Sequence, residues 1–192
     1  MIAGVVLAAG RSTRLGQPKQ LLPYRGRPLL EWALAAMAAS SVAVTVVVLG
    51  HGAERVRRDV DLHGARVVYN ERYADGLSTS LQAGLAALGP DVQAAVVAVG
   101  DQPLLGPDAV DALIAAHATT GAPIVAADYG DHQGTPLLLD RSVWPLTEQI
   151  RGDQGARALL RAHPDAVITV PVAPAAAVDV DTWDDYARLP DE

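Results

Sequence analysis

Residues 2–19 read Ile2-Ala-Gly-Val-Val-Leu-Ala-Ala-Gly-Arg-Ser-Thr-Arg-Leu-Gly-Gln-Pro-Lys19, an apolar run that passes directly into a Gly-containing, cationic loop. A continuous apolar run of this length, covered on both faces, is the pattern of a buried parallel strand. Pro28–Ala39 follows the loop as a helix, with Pro at its start and Leu29, Leu30, Ala33, Leu34 and Met37 at helical spacing. The next apolar run, Val42–Leu49, is mostly β-branched and predicts a second strand. Strand, cationic loop, helix and strand together predict a βαβ unit.

The alternation continues along the chain. Ala53–Val60 predicts a short helix and Arg66–Tyr69 a short strand. Leu77, Leu81, Leu85 and Leu88 lie on one helical face, with Ser78 as a candidate N-cap. Ala94–Val99 predicts a buried strand, and Pro107–Thr119 a helix. Ile124–Ala127 and Pro136–Leu139 predict strands, Ala156–Ala162 a helix, Val167–Val170 a strand and Thr182–Leu189 a final helix. This order predicts an α/β fold, a parallel sheet covered by helices on both faces, as one domain over residues 1–192. Ligands of such sheets sit beyond the carboxyl ends of the strands, which directs attention to the loops after Ala8 and Val99 and to the C-terminal segment.

Composition narrows the chemistry. The chain has 192 residues and no cysteine, which excludes disulfides, thiolate metal sites and cysteine nucleophiles. No apolar stretch is long enough for a membrane-spanning helix, and the first apolar run lacks the cationic lead of a signal peptide, so a cytoplasmic protein is expected. The five histidines show no metal-ligand spacing. Net charge is −7, which argues against a nucleic-acid partner. The charge is unevenly spread. Residues 1–30 hold Arg11, Arg14, Lys19, Arg25 and Arg27 and no acid, whereas residues 179–192 hold Asp179, Asp181, Asp184, Asp185, Asp191 and Glu192 against Arg188. A basic N-terminal loop on an acidic protein points to a small anionic ligand. Lys19 is the only lysine among 15 cationic residues, and a compact ammonium suits a phosphate oxygen.

The loop is neither of the two best-known phosphate loops. Five residues separate Gly10 from Gly16 and Lys19 does not follow the second glycine, so it is no Walker A motif, and it lacks the G-x-G-x-x-G spacing of dinucleotide folds. Taken with Pro18-Lys19 and Leu21-Leu-Pro, the segment Leu7-Ala-Ala-Gly-Arg-Ser-Thr-Arg-Leu-Gly16 resembles the signature of the MobA-like nucleotidyltransferases, within them the MocA-type molybdenum cofactor cytidylyltransferases. The resemblance continues at Gly76-Leu-Ser-Thr-Ser-Leu-Gln-Ala-Gly84, Gly100-Asp-Gln-Pro103, Gly152-Asp-Gln-Gly-Ala-Arg157 and Asp179-Val-Asp-Thr-Trp-Asp-Asp-Tyr186, over nearly the whole chain. It implies a three-layer α/β/α sandwich around a mostly parallel sheet, of Rossmann-like nucleotidyltransferase type.

It also implies roles. Backbone at Ala8, Ala9 and Gly10 would meet the base and ribose of a nucleoside triphosphate, and Arg11, Ser12, Arg14 and Lys19 would hold its phosphates. The Ala-Ala-Gly form resembles pyrimidine users, favouring CTP over GTP. Gly76, Ser78 and Ser80 would complete the base and ribose pocket, with Gly100 beside them. Asp101 would bind Mg²⁺, which needs only one or two carboxylates. Asp179 or Asp181 would supply the second, Asp181 by family position, although Asp181 also stands where an N-cap of the last helix would. Gly134, Pro136, Asp153, Gly155 and Arg157 would face the acceptor. Relatives often have Gly-His-Pro where this chain has Gly134-Thr135-Pro136, so that histidine is missing. The implied reaction moves CMP from CTP onto the phosphate of molybdopterin, with a molybdoenzyme or its chaperone as recipient, and Lys19, Arg14 and Asp101 as the catalytic set. The alternatives are GTP or a sugar-phosphate acceptor, and a non-catalytic module that hands over a nucleotide or cofactor.

Overall fold

The computed structural model describes residues 1–190. Its strands are β1 (Ile2–Ala8), β2 (Pro23–Tyr24), β3 (Arg27–Pro28), β4 (Val44–Leu49), β5 (Arg66–Tyr69), β6 (Ala94–Val99), β7 (Ile124–Asp128), β8 (Gln133–Asp140) and β9 (Val167–Pro171). Its α-helices are α1 (Leu29–Ala39), α2 (Ala53–Asp59), α3 (Leu77–Ala86), α4 (Pro107–Thr120), α5 (Trp144–Thr147), α6 (Arg157–Ala162) and α7 (Trp183–Ala187). Seven strands form one sheet in the order β5-β4-β1-β6-β8-β7-β9, and β2 and β3 form a small hairpin. No helix among the described residues is long and apolar enough to cross a membrane.

The apolar run that opens the chain becomes the centre of the sheet. β1 pairs in parallel with β4 and with β6, so that Val5 lies between Val46 and Val97. Alternate side chains feed two cores. Val5, Leu7, Val46, Val48 and Val97 pack with Leu81 and Leu85 of α3. Val6, Val47, Leu49 and Val96 pack on the other face with Leu30, Leu34 and Met37 of α1 and with Val110 and Leu113 of α4. Because both faces are covered, these strands read as unbroken apolar runs.

Beyond β6 the sheet departs from the simple alternation. β8 runs antiparallel to both β6 and β7, and β9 returns parallel to β7. Only Tyr129–His132 separate β7 from β8, too few residues for a parallel crossover. The hairpin and α5 were not signalled by periodicity, being too short to show one. Two expected caps are also reassigned. Gly76, not Ser78, precedes α3, and no side chain caps that helix. Thr182 caps α7 in a reciprocal capping box with Asp185, so Asp181 is not the cap. The order of strands reverses on either side of β1: β4 and β5 extend the sheet one way and β6 the other. The loops leaving β1 and β6 lie side by side at the carboxyl end of the sheet and lead to α1 and α4 on one face, where ligands of such sheets are held.

Candidate active site

The loop after β1 is held from below. Gln20, almost fully buried, donates from Nε2 to the carbonyl oxygens of Ala8 at 2.8 Å and Gly10 at 3.1 Å. Ser12 adopts a left-handed backbone, φ 51°, and its Oγ accepts the backbone N–H of Lys19 at 3.0 Å, closing the loop on itself. Leu15 anchors the far side in a small cluster with Leu22, Tyr24, Leu29 and Val180. Gln20 carried no motif signal; its role follows only from the loop carbonyls that fold above it.

The Lys19 ammonium lies between two carboxylates. It donates to Asp101 Oδ2 and, at 2.7 Å, to Asp181 Oδ1. Arg14 Nη1 stands 3.7 Å from the other Asp181 oxygen. The Lys19 and Asp101 side chains are each only 15% exposed. Burial pulls the ammonium's pKa down, but Asp101 and then Asp181 outweigh it, so Lys19 is held above its ordinary value. The C-terminal segment is drawn in by a bond from the Val180 N–H to the Asp101 carbonyl at 3.0 Å. Asp101 Oδ1 is buried and has no hydrogen-bond partner. Two carboxylates that already share one cation, one of them with an unpaired oxygen, suit a hard divalent cation that retains waters. Among the described residues, no group of three or more His, Cys, Asp or Glu forms a complete protein cage.

These residues line a cleft of about 540 Å³. Of the sequence-predicted set, Ala8, Ala9, Gly10, Arg14, Lys19, Gly100, Asp101, Asp153, Gly155, Arg157 and Asp181 line it. Arg11 and Ser12 do not. Ser78 and Ser80 do not line it either: both are buried, Ser78 under the Gly152 turn, whose carbonyl its N–H meets at 3.0 Å, and Ser80 against Asn70, whose Nδ2 donates to Ser80 Oγ at 3.0 Å. Gly76 is off the cleft as well and acts through packing, pressed against the backbone of Gly152. Gly134 and Pro136 are buried in β8, and Thr135 between them reaches the cleft. A Cβ on Gly134 would lie 2.8–3.1 Å from the Arg157 guanidinium, so this glycine is the floor on which Arg157 rests. Asp179, the alternative to Asp181, lines the cleft too, as do Thr135 and Arg161, which were not singled out for it because no local pattern marks them.

Asp179 is set apart from Asp181. It faces Arg157 at 3.6 Å rather than Lys19. Burial, and then the charge of Asp101, push its carboxyl up to about 6 against the pull of Arg157. The folded chain therefore holds a proton there that the unfolded chain has lost. Stability in metal-free buffer is expected to fall as the pH rises from about 4 through about 6, and then to level off in this contribution. Asp179→Asn should flatten that fall in a series of denaturation midpoints; an unchanged slope would show that Asp179 ionises freely.

A glycine loop at a strand-order reversal, with an ammonium and two carboxylates at its mouth, is the layout of an α/β enzyme that handles a nucleotide and its phosphates. The chain matches the MobA-like NTP transferase domain over residues 4–167 and belongs to that family, a family of nucleotidyltransferases. It is 35% identical to a nicotine blue oxidoreductase of Paenarthrobacter nicotinovorans, over 98% of this chain and 96% of that one. Its fold is similar to Rv0371c of Mycobacterium tuberculosis, with TM-score 0.88 and 37% identity over 98% of this chain and 96% of the other. A second structure of Rv0371c is a complex with manganese, similar to this chain with TM-score 0.84 and 35% identity over 98% and 97% of the two chains. A nucleotidyl transferase of Methanothermobacter thermautotrophicus is similar with TM-score 0.85 and 28% identity over 100% and 96%.

Proposed function

We propose that the protein transfers CMP from CTP to the terminal phosphate of molybdopterin and releases pyrophosphate. The observation that carries this reading is the Lys19 ammonium shared by Asp101 and Asp181 beside the Gly10 loop. An acceptor phosphate oxygen attacks the α-phosphorus, a P–O bond forms, and the bond to the pyrophosphate oxygen breaks. The attacking oxygen is already anionic near neutral pH, so no general base is needed. The difficulty is the approach of two polyanions, and the side chains of the cleft address it. The backbone at Ala8–Gly10 receives base and ribose. Arg14 and Lys19 meet the phosphates, with Arg11 and Ser12 at the loop's outer turn, and they oppose charge on the departing pyrophosphate. Asp101 and Asp181 would hold a divalent cation such as Mg²⁺, which would supply further charge neutralisation on the triphosphate. Asp153, Gly155 and Arg157 lie where the acceptor enters, and alignment in the cleft supplies the rest of the rate.

CTP is favoured by the Ala8-Ala9-Gly10 form of the loop. The test is pyrophosphate release by the purified chain with CTP, GTP, ATP or UTP, with and without molybdopterin, in Mg²⁺ or Mn²⁺. Release with CTP only when molybdopterin is present is the expected result. Release with GTP moves the assignment to a guanylyl transfer, and release with a sugar phosphate replaces the acceptor. The similarity to nicotine blue oxidoreductase makes a redox reaction the competing reading, and nicotinamide cofactor consumption is its assay. The first loop lacks the dinucleotide spacing, so no such consumption is expected.

A further inference from the structure

Four cationic side chains line the cleft: Arg14, Lys19, Arg157 and Arg161. Three of them are matched by carboxylates. Lys19 meets Asp101 and Asp181, Arg14 meets Asp181, and Arg157 meets Asp179. Arg161 has neither an ion pair nor a hydrogen bond among the described residues, although Asp153 lines the same cleft. Arg157 and Arg161 stand four residues apart on α6, so they project from one helical face. Ala158, also on the cleft, is small enough to leave room beside them, while Leu159 turns into the core. Arg157 is fixed by two supports, the Asp179 carboxylate and the Gly134 backbone on which its guanidinium lies. The cleft thus presents one positioned guanidinium and, one turn on, an uncommitted one.

We propose that Arg161, acting with Arg157, binds the terminal phosphate of the acceptor, so that the site selects a phosphomonoester dianion. Two forked guanidinium groups can each donate to two oxygens of one phosphate, and their joint charge matches a dianion better than a carboxylate or a phosphodiester. Arg157 takes this role as a preset contact, and Arg161 closes on the phosphate from the next turn. The inference deepens the transfer reaction proposed above and rests on it for the identity of the acceptor.

The test compares the native chain with Arg161→Ala and Arg161→Lys in pyrophosphate release, with CTP and molybdopterin varied in turn. Arg161→Ala should raise the KM for molybdopterin by about 10- to 100-fold, the loss of one charge-assisted contact, with a far smaller change in the KM for CTP. Arg161→Lys should recover part of that loss. Because Arg161 is exposed, melting temperatures should agree and separate a binding defect from a folding one. Inorganic phosphate titrated calorimetrically into both proteins gives a readout that does not depend on turnover, and weaker binding to Arg161→Ala is expected. An unchanged KM for molybdopterin overturns the proposal, as does an equal rise in the KM for CTP, which would place Arg161 on the nucleotide. If the native chain turns over no nucleotide, the transfer reading fails by itself, and the phosphate titration decides the arginine pair: equal binding by both proteins overturns it.

Discussion

Replacing Lys19 with alanine is expected to lower pyrophosphate release from CTP by about 10³-fold, the upper range for removing one preorganised electrostatic donor. The ammonium sits 2.7 Å from Asp181 Oδ1 and in contact with Asp101, so it is held at the mouth of the cleft before any nucleotide arrives. A triphosphate entering beside Gly10 would meet a cation already fixed in place. Lys19→Arg should rescue little, since a broad planar fork does not fit a position set for a compact ammonium. The same substitution has a second consequence. With the ammonium gone, Asp101 is left mostly buried and uncompensated, and the fold should lose about 1–3 kcal/mol. The two carboxylates would then have no resident cation. Mn²⁺, followed by its electron paramagnetic resonance in the absence of nucleotide, should bind Lys19→Ala more tightly than the native chain. Near-native turnover would remove Lys19 from the reaction, and unchanged Mn²⁺ affinity would remove Asp101 and Asp181 as the pair it guards.

Gly76→Ala is expected to be the most damaging single-methyl change in the chain. Gly76 has φ +107° and ψ 175°, a backbone conformation open essentially to glycine alone. A Cβ there would lie 2.2 Å from the carbonyl carbon of Gly152, 2.3 Å from its oxygen and 2.7 Å from the Asp153 nitrogen. All three are backbone atoms, so no side-chain rotation relieves the overlap. The Ser78 N–H bond to the Gly152 carbonyl, 3.0 Å, would open as the two segments part. A loss of about 3–5 kcal/mol follows from strain and lost packing together. At this chain length that is a fall in melting temperature of roughly 6–20 °C. The displaced 152–155 turn also carries Asp153 and Gly155 away from the cleft, so the acceptor KM should rise in whatever protein remains folded. Gly89→Ala is the control, because its Cβ would meet nothing within 4 Å. A shift below about 2 °C for Gly76→Ala, less than 1 kcal/mol, would show that the two loops yield easily.

The contrast between Gly76 and Gly10 shows how far reading the chain could go. Both were expected to touch the nucleotide. Gly10 lines the cleft, and a Cβ there would meet no atom within 4 Å, which leaves its backbone open to a ligand. Gly76 is required by a neighbouring loop about 76 residues later in the chain, a constraint that no local pattern records. Ser78 and Ser80 make the same point. Their spacing in the motif was plain, but the Gly152 turn over Ser78 and the Asn70 side chain against Ser80 placed them in the interior.

Hydrophobic period and turn chemistry act between near neighbours, and they were sufficient for most elements of this chain and for its layers, though not for the short β2, β3 and α5. Ile2–Ala8 and Ala94–Val99 form strands with the bounds read from their apolar runs, and the helices on either face follow from spacing at three and four residues. The cationic loop, and its position at the end of a buried strand, were legible for the same reason. The direction of β8 was set by the short link from β7, and its place in the sheet by pairing with β6, more than 30 residues away in the chain. The division of labour among the C-terminal aspartates was likewise a tertiary matter. Asp181 reaches Lys19 across 162 residues, and Asp179, two positions earlier, turns instead to Arg157. A carboxylate has the same chemistry at either position; only the folded chain decides which cation it faces, because Coulomb and hydrogen-bond energies depend on separations in space and not along the sequence.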